Sequence, residues 1–236
     1  MEIKGFIDAS FVDWEGKISA VIFLPNCNFR CPFCHNFKLV SNVQEVETIP
    51  FEQIENQLER QRGWIDGVCI TGGEPTLHAD LPELCSRLKK MGFQVKVDTN
   101  GTTPSMLKEL MDRKLVDYVA MDIKAPLTVE KYSQSCDVKA EKLLENVKES
   151  VEALIESGMD YEFRTTVVPT IHGEEDIKQI CRSLNGCRKY VLQKFDVSIG
   201  KTTIHSEFNK LKTFTDEEMQ KFLGAAQKII PNTKRR

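Results

Sequence analysis

The sequence predicts an α/β fold in which six parallel strands alternate with helices. Short apolar runs, typical of strands buried on both faces, recur along the chain, and stretches with one apolar helical face separate them. This alternation implies parallel strands joined by right-handed crossovers. The strands are predicted at residues 18–24, 68–71, 93–99, 117–123, 161–168 and 190–195.

Helix ends follow from capping residues and glycines. The first helix is expected to begin at Ile49-Pro50 and to end at Gly63, and the second to run from the cap Asp80 to Gly92. The remaining helices are expected from residue 103, over 138–157, over 174–184 and after a capping box at 215–218.

Outside these elements we expect little structure of consequence. Residues 1–17 are assigned a strand or hairpin without chemistry, and Lys234-Arg235-Arg236 is predicted to be a solvated basic tail. The 236 residues suit a single domain over 1–236, with a core at about 18–196 and a C-terminal loop and helix over 197–236.

The composition is that of an ordinary globular protein, with 41% hydrophobic and 28% charged residues. A net charge of −3 implies no general nucleic-acid-binding surface. Residues 1–5 do not open a signal peptide, and no apolar run approaches membrane-spanning length. Eight cysteines, three of them clustered, fit a reducing compartment better than a disulfide scaffold. We therefore expect a cytoplasmic protein that binds neither nucleic acid nor membrane.

Three cysteines lie within eight residues directly after the first predicted strand. Cys27, Cys31 and Cys34 are spaced as CxxxCxxC. Thiolates this close are typical ligands of an iron–sulfur cluster, and three of them would leave one iron of a [4Fe–4S] cluster open to a small molecule. The alternatives are a structural zinc site, which requires four protein ligands, and a disulfide that leaves one cysteine free.

Polar segments also follow the next three strands, at residues 72–74, 98–101 and 122–124. Because the carboxyl ends of parallel strands meet at one edge, we expect these segments to lie on one rim with the cysteines. Alternation along the strands also places charged side chains on buried faces, where they are costly unless paired or bound to a ligand. The pattern predicts a polar, zwitterionic ligand, and the alternative is a set of ion pairs that only fills the core. The charged residues that carry this prediction are Asp98, Asp122, Lys124 and Arg164. Lys96 shares the strand face of Asp98, and Glu162 shares that of Arg164.

Together these residues resemble the radical S-adenosylmethionine superfamily, with Phe33 before the third cysteine and a Gly-Gly-Glu-Pro turn at 72–75. More narrowly, the chain resembles the activating enzymes of glycyl radical enzymes, above all those that serve anaerobic ribonucleoside-triphosphate reductase. The resemblance covers residues 18–196 and implies a partial (βα)6 TIM-like barrel. The segments that carry it are 34–36, 71–75, 98–101, 119–124, 164–169 and 192–195.

The resemblance implies that Cys27, Cys31 and Cys34 hold a [4Fe–4S] cluster whose open iron binds S-adenosylmethionine. An electron from a donor such as flavodoxin or ferredoxin would cleave that cofactor, and the adenosyl radical would take hydrogen from a glycine of the partner enzyme. One departure is Asp196, which stands where related activases carry a histidine. The cofactor-binding residues implied are Phe33, Gly73, Glu74, Asp98, Asn100, Asp122, Lys124 and Arg164.

Two other functions stay open on the sequence. One is a small-molecule enzyme of the same superfamily, similar to deazaguanine synthases, and the other is a zinc or electron-transfer module without catalysis. The remaining cysteines are expected to be buried apolar residues or to lack ligand spacing: Cys69, Cys85, Cys136, Cys181 and Cys187. His78, His172 and His205 are assigned surface or capping roles.

Overall fold

The structure is a computed structural model that describes residues 1–197 and 202–236. These residues divide into two compact units. The first unit comprises Met1–Asn28, Lys38–Thr99 and Thr103–Ala120, and the second comprises Phe29–Phe37, Asn100–Thr102 and Met121–Arg236.

Four strands build the sheet of the first unit. The second, third and fourth strands pair in parallel, and the first strand is antiparallel to the second. The strands are β1 (Gly5–Ser10), β2 (Ser19–Leu24), β3 (Gly67–Gly72) and β4 (Gln94–Thr99). The helices that alternate with these strands are, in chain order, α1 (Phe37–Ser41), α2 (Phe51–Arg60), α3 (Leu81–Lys90) and α4 (Pro104–Asp112).

The chain passes from the first unit to the second within β5 (Tyr118–Asp122). In the second unit, the two strands after it pair in parallel, and a two-residue strand at the end extends this sheet in the same direction. The elements are α5 (Val129–Cys136), α6 (Glu141–Glu156), β6 (Asp160–Val167), α7 (Glu174–Ser183), β7 (Tyr190–Lys194), α8 (Asp216–Gln227) and β8 (Lys234–Arg235).

The predicted α/β class is confirmed, because all six predicted strands form and the pairs among β2, β3 and β4 and between β6 and β7 are parallel. The predicted capping box is also present. The Thr215 hydroxyl accepts from the Glu218 N–H at 3.2 Å, and the Glu218 carboxylate accepts from the Thr215 N–H at 2.7 Å. No helix in the described part of the chain is both long and apolar enough to cross a bilayer.

Helix α5 was not predicted. It has eight residues and buries only Tyr132, Ser135 and Cys136, so it lacks the apolar repeat that reveals longer helices. Its ends are defined locally instead, since Thr128 caps its first turn and Asp137 adopts a left-handed conformation with φ of 49° after its last residue.

The prediction of a solvated basic tail was wrong. Strand β8 pairs with β7, and the Arg236 N–H donates to the Leu192 carbonyl at 2.9 Å. The Arg236 guanidinium makes two hydrogen bonds of 2.8 Å with Glu162, a carboxylate that is only 1% exposed. A buried charge on β6 needs a counter-ion, and the C-terminal arginine supplies it.

Candidate functional site

In the first unit, the turn after β3 holds the chain directly before the cysteine motif. Two backbone N–H groups and one histidine of this turn donate to the successive carbonyls of residues 24–26, at the end of β2, so the position of Cys27 is fixed from its N-terminal side. The bonds are Gly73 N to Leu24 O at 2.8 Å, Glu74 N to Asn26 O at 2.7 Å and His78 Nε2 to Pro25 O at 2.7 Å. His78 thus serves this contact, which its sequence position did not reveal.

The two glycines of this turn are required by the same contact. Gly72 has φ of 121°, which side-chain-bearing residues rarely adopt. A Cβ atom on Gly73 would overlap the Asn26 carbonyl, and one on Gly72 would overlap the Leu24 backbone. The close approach of the two chain segments is therefore a reason within the chain for both glycines.

Glu74 is 1% exposed, and its carboxylate is held by two threonines. Its Oε1 atom accepts hydrogen bonds from the Thr76 N–H at 3.0 Å, the Thr76 hydroxyl at 2.5 Å and the Thr99 hydroxyl at 2.7 Å. These bonds cap the short 3-10 helix Pro75–Leu77 and fix the carboxylate in one orientation.

Asp98, on β4, forms an ion pair with Lys96 two residues earlier on the same face. Lys96 is 1% exposed, and its ammonium lies 3.6 Å from the Cys69 sulfur, which in turn lies 3.7 Å from Asp98. The predicted burial of this charged row is therefore confirmed. Cys69 is buried as expected, but it contacts polar groups and does not serve only as apolar packing.

In the second unit, three of the predicted residues form one ionic cluster at the ends of β5 and β6. The Asp122 carboxylate accepts from Lys124 Nζ at 2.9 Å and from Arg164 Nε at 2.9 Å. Burial alone would raise the pKa of Asp122, but the charges of Arg164 and Lys124 outweigh it and hold that pKa well below its usual range. The cluster is therefore a fixed carboxylate flanked by two cations.

The backbone of Lys124 is held by three side chains. Its N–H donates to the Tyr132 hydroxyl at 3.3 Å, and its carbonyl accepts from the Ser135 hydroxyl at 2.8 Å and from His172 Nε2 at 2.9 Å. The Val168 N–H donates to His172 Nδ1 at 3.0 Å, so Nε2 carries the ring proton. His172 is 4% exposed and burial lowers its pKa, so the predicted surface role was wrong. Its ring instead satisfies two backbone groups, as the other expected role, capping, would require.

The cysteine loop forms a tight turn in which the Cys34 N–H donates to the Cys31 carbonyl at 3.0 Å. A hydrogen bond from Cys136 and the charge of Lys124 lower the pKa of Cys31, against the effect of its burial. Burial and the neighbouring Cys31 raise the pKa of Cys34 to about 11. Cys27 belongs to the first unit, with Leu24 and Asn26.

This donor set fits a thiolate-bound cluster, because two closely spaced cysteines, Cys31 and Cys34, share one turn and cysteine is the usual ligand of iron–sulfur clusters. In a cubane each cysteine ligates a separate iron, so the ligands need not converge on one ion. Within residues 1–197 and 202–236, no three His, Cys, Asp or Glu side chains are grouped so that they could hold a single metal ion.

Phe33 lies in an aromatic cluster of the second unit. Its ring is 6% exposed and lies 6.4 Å, centroid to centroid, from the rings of both Phe195 and Phe208. The His35 ring stacks on the Phe195 ring of this cluster, with centroids 5.3 Å apart. Asp196, which follows β7, is exposed.

Asn100 forms a local turn in the second unit. Its side-chain oxygen accepts from the Thr102 N–H at 3.0 Å and from the Thr102 hydroxyl at 2.6 Å. Helix α6 holds this turn from outside, since Ser150 donates to the Gly101 carbonyl at 2.7 Å. The loop that follows β4 is thus fixed by side chains of a helix that is distant in sequence.

The sequence profile of the Radical SAM superfamily matches residues 21–184. A protein of Methanocaldococcus jannaschii, named as a candidate glycyl-radical enzyme activating enzyme, is 36% identical over 98% of this chain and 93% of its own length. A Methanococcus aeolicus protein named as a candidate GTP 3′,8-cyclase is 25% identical over 94% of this chain and 73% of its own length.

Among solved structures, SuiB of Streptococcus suis, bound to its precursor peptide SuiA, superposes with a TM-score of 0.68 at 15% identity. The match covers 92% of this chain, which spans about half of SuiB (48%). At this identity the likeness shows the fold alone, and it agrees with the expected partial TIM-like barrel. The superfamily implies a [4Fe–4S] cluster and S-adenosylmethionine, to which the donor set described above conforms. The chain belongs to the radical SAM superfamily and is a radical SAM enzyme.

Proposed function

We propose that this enzyme generates a glycyl radical on a large partner enzyme, and that the partner is anaerobic ribonucleoside-triphosphate reductase. The activity is supported by a relative named as a glycyl-radical enzyme activating enzyme, 36% identical over nearly the whole chain. The choice of reductase rests on the resemblance of residues 119–124 and 192–195. The proposal includes a single domain, a cytoplasmic location and an electron donor of the flavodoxin or ferredoxin type.

The observation that carries the chemistry is the ionic cluster in the same unit as Cys31 and Cys34. Asp122 lies between Lys124 and Arg164, and the charge of Lys124 acts on the Cys31 thiol. A carboxylate and two cations suit a ligand that carries both an ammonium and a carboxylate group. S-adenosylmethionine is such a ligand.

The cluster would be held by Cys27, Cys31 and Cys34, and when bound it supplies the electron that cleaves the sulfonium of S-adenosylmethionine. The protein orients that cofactor. Asp122, Lys124 and Arg164 would bind its charged methionyl end, with Gly73, Glu74, Asp98 and Asn100 as further contacts. Phe33 would lie near its adenine. Their hydrogen bonds within the chain preorganise them, which reduces the free-energy cost of ordering them on binding.

A small-molecule radical SAM function is the second candidate. The relative named as a GTP 3′,8-cyclase, matched over 94% of the chain, supports it. Such an enzyme would need cover for its substrate, which the segment 196–214 would have to supply. Residues 198–201 of that segment lie outside the described residues.

The test is anaerobic reconstitution with iron and sulfide, followed by S-adenosylmethionine, a reductant and the cognate reductase. A glycyl-radical signal in the partner by electron paramagnetic resonance is expected, together with 5′-deoxyadenosine. Cofactor cleavage without a radical in the partner would instead support the small-molecule enzyme. Reconstituted protein that retains zinc and no iron would exclude both.

A matched pair of variants tests the ionic cluster. Asp122→Asn removes the charge that pairs with both cations, and we expect S-adenosylmethionine to bind about 10-fold more weakly, since a charge-assisted bond contributes roughly 1.5–3 kcal/mol. Asp216→Asn, whose carboxylate is 71% exposed and pairs with Lys194 and Arg235, is the control. Equal affinities for the two variants would contradict the assignment.

A further inference from the structure

The two cations that flank Asp122 belong to different segments of the second unit. Arg164 lies on β6, whereas Lys124 lies in the loop after β5, and each places a side-chain nitrogen 2.9 Å from the Asp122 carboxylate. A backbone bond joins the two segments here, from the Ile123 N–H to the Arg164 carbonyl at 2.7 Å. The spacing of the two cations therefore depends on how the end of β5 is held against β6.

His172 joins the same two segments through its side chain. Its Nδ1 accepts from the Val168 N–H, directly after β6, at 3.0 Å, and its Nε2–H donates to the Lys124 carbonyl at 2.9 Å. The ring thus offers one acceptor and one donor, as a peptide group does between two strands. Both bonds require the neutral ring, which burial favours, since His172 is 4% exposed.

The residue that carries the cation is linked to β6 by this imidazole. Ile123 is held to β6 by its backbone bond and by the Thr165 hydroxyl, which donates to the Ile123 carbonyl at 2.8 Å. One residue further along, the Lys124 carbonyl accepts from Ser135 of α5 at 2.8 Å and from His172. Of these two donors, His172 is the one that leads back to the end of β6. A change at His172 should therefore move Lys124 and leave Ile123 in place.

We propose that His172 is a positioning residue that sets the separation of Lys124 and Arg164, and with it the affinity of the site for the amino-acid end of its ligand. This inference rests on the proposed binding of the methionyl end of S-adenosylmethionine at the ionic cluster. A ligand with an ammonium and a carboxylate group must match the spacing of the charges that bind it, because charge-assisted hydrogen bonds weaken with distance and misalignment. His172 acts through Lys124 and needs no contact with the ligand.

The test is anaerobic titration calorimetry of the reconstituted protein with two ligands. S-adenosylhomocysteine carries the amino-acid end, and 5′-methylthioadenosine has a methyl group in its place. His172→Leu, which keeps much of the bulk and neither bond, is expected to bind S-adenosylhomocysteine about 10-fold more weakly and 5′-methylthioadenosine within about 2-fold of the wild type. His172→Gln, whose amide offers one donor and one acceptor, is expected to bind S-adenosylhomocysteine within about 3-fold of the wild type.

Thr233→Val is the matched control in the same unit. Thr233 is 2% exposed, and its hydroxyl donates to the Ile230 carbonyl at 2.6 Å, so this variant also loses a buried bond to a backbone carbonyl. Thr233 is not part of the ionic cluster. The variant is expected to unfold at a lower urea concentration and to keep both affinities.

Equal losses for the two ligands in His172→Leu would overturn the inference, because general damage to the fold would then explain them. An unchanged affinity for S-adenosylhomocysteine in His172→Leu would overturn it as well. If His172→Leu does not fold, His172→Gln decides, and a folded, iron-containing glutamine variant that binds S-adenosylhomocysteine 10-fold more weakly would refute the positioning role. Equal affinity of the wild type for both ligands would overturn the inference together with the assignment of the ionic cluster. The glycyl-radical assay can fail without altering any of these outcomes.

Discussion

Replacing Arg236 by alanine removes the counter-ion of a buried carboxylate while leaving the backbone pairing of β8 in place. Glu162 is 1% exposed. Its carboxylate accepts two hydrogen bonds of 2.8 Å from Arg236 and forms an ion pair with Lys189 at 3.0 Å. Breaking a buried pair by removing one partner costs roughly 3–5 kcal/mol. Lys189 remains, and the Arg236 side chain is 27% exposed, so we expect a loss of about 2 kcal/mol.

The measurement is urea unfolding of the cluster-free protein at pH 7 under reducing conditions, with thermal unfolding beside it. A loss of about 2 kcal/mol corresponds to a fall in Tm of about 4–8 °C for a chain of this size. The matched control is Arg235→Ala, because Arg235 pairs with Asp216, whose side chain is 71% exposed. That variant is expected to lose less than about 0.5 kcal/mol.

The pH dependence provides a second check on the same pair. Burial raises the pKa of Glu162, but hydrogen bonds and charge from Arg236 outweigh it, so the pKa lies below the usual 4.5. A carboxylate with a lowered folded-state pKa contributes stability above pH 4.5 that is lost as the pH falls through the folded-state value. The difference between wild type and Arg236→Ala should therefore shrink below about pH 4.5. If Arg236→Ala and Arg235→Ala unfold at the same urea concentration, the reasoning is refuted.

Three further predictions concern the turn after β3, His172 and helix α8. The Cβ atom of Gly73→Ala would overlap the Asn26 carbonyl, so this variant should displace the cysteine motif and lower the iron content after reconstitution. A Cβ atom at Gly224 would meet nothing within 4 Å, so Gly224→Ala should keep its iron. Equal iron content in both variants would show that the turn after β3 does not hold the cysteine motif in place. Burial lowers the pKa of His172 from 6.5, so the free energy of unfolding of the wild type should fall as the pH drops through 6.5. In urea unfolding, His172→Gln should be less stable than the wild type above pH 6.5, and its free energy of unfolding should change less with pH below 6.5. Thr215→Ala removes the cap of α8 and should cost about 1 kcal/mol in urea unfolding; a cost below about 0.3 kcal/mol would show that the cap contributes little.

Much of the fold followed from the sequence because long-range packing agrees there with local pattern. The apolar runs of β2 and β3 require burial on both faces, and glycines and capping residues bound the helices between the strands. The same alternation correctly placed Lys96, Glu162 and Arg164 at buried positions. Periodicity reports the face on which a side chain lies, and that was sufficient for these residues.

Periodicity could not report which groups meet. The pairing of Arg236 with Glu162 joins residues 74 apart in sequence, and the sequence placed that arginine in solvent. Helix α5 was not predicted because eight residues with three buried side chains give no apolar repeat. The bond from the Arg30 N–H to the Cys136 carbonyl, which joins this helix to the cysteine loop, was missed with it.

The sequence by itself determined the α/β class, the thiol motif and the identity of the charged residues, because spacing and alternation are local properties of the chain. Only the tertiary structure decided that Asp122 lies between Lys124 and Arg164, that His172 is buried on the Lys124 carbonyl, and that α5 holds the cysteine loop. The physical reason is that hydrogen bonds and ion pairs act over a few ångströms. Which partners come within that range depends on how the whole chain packs.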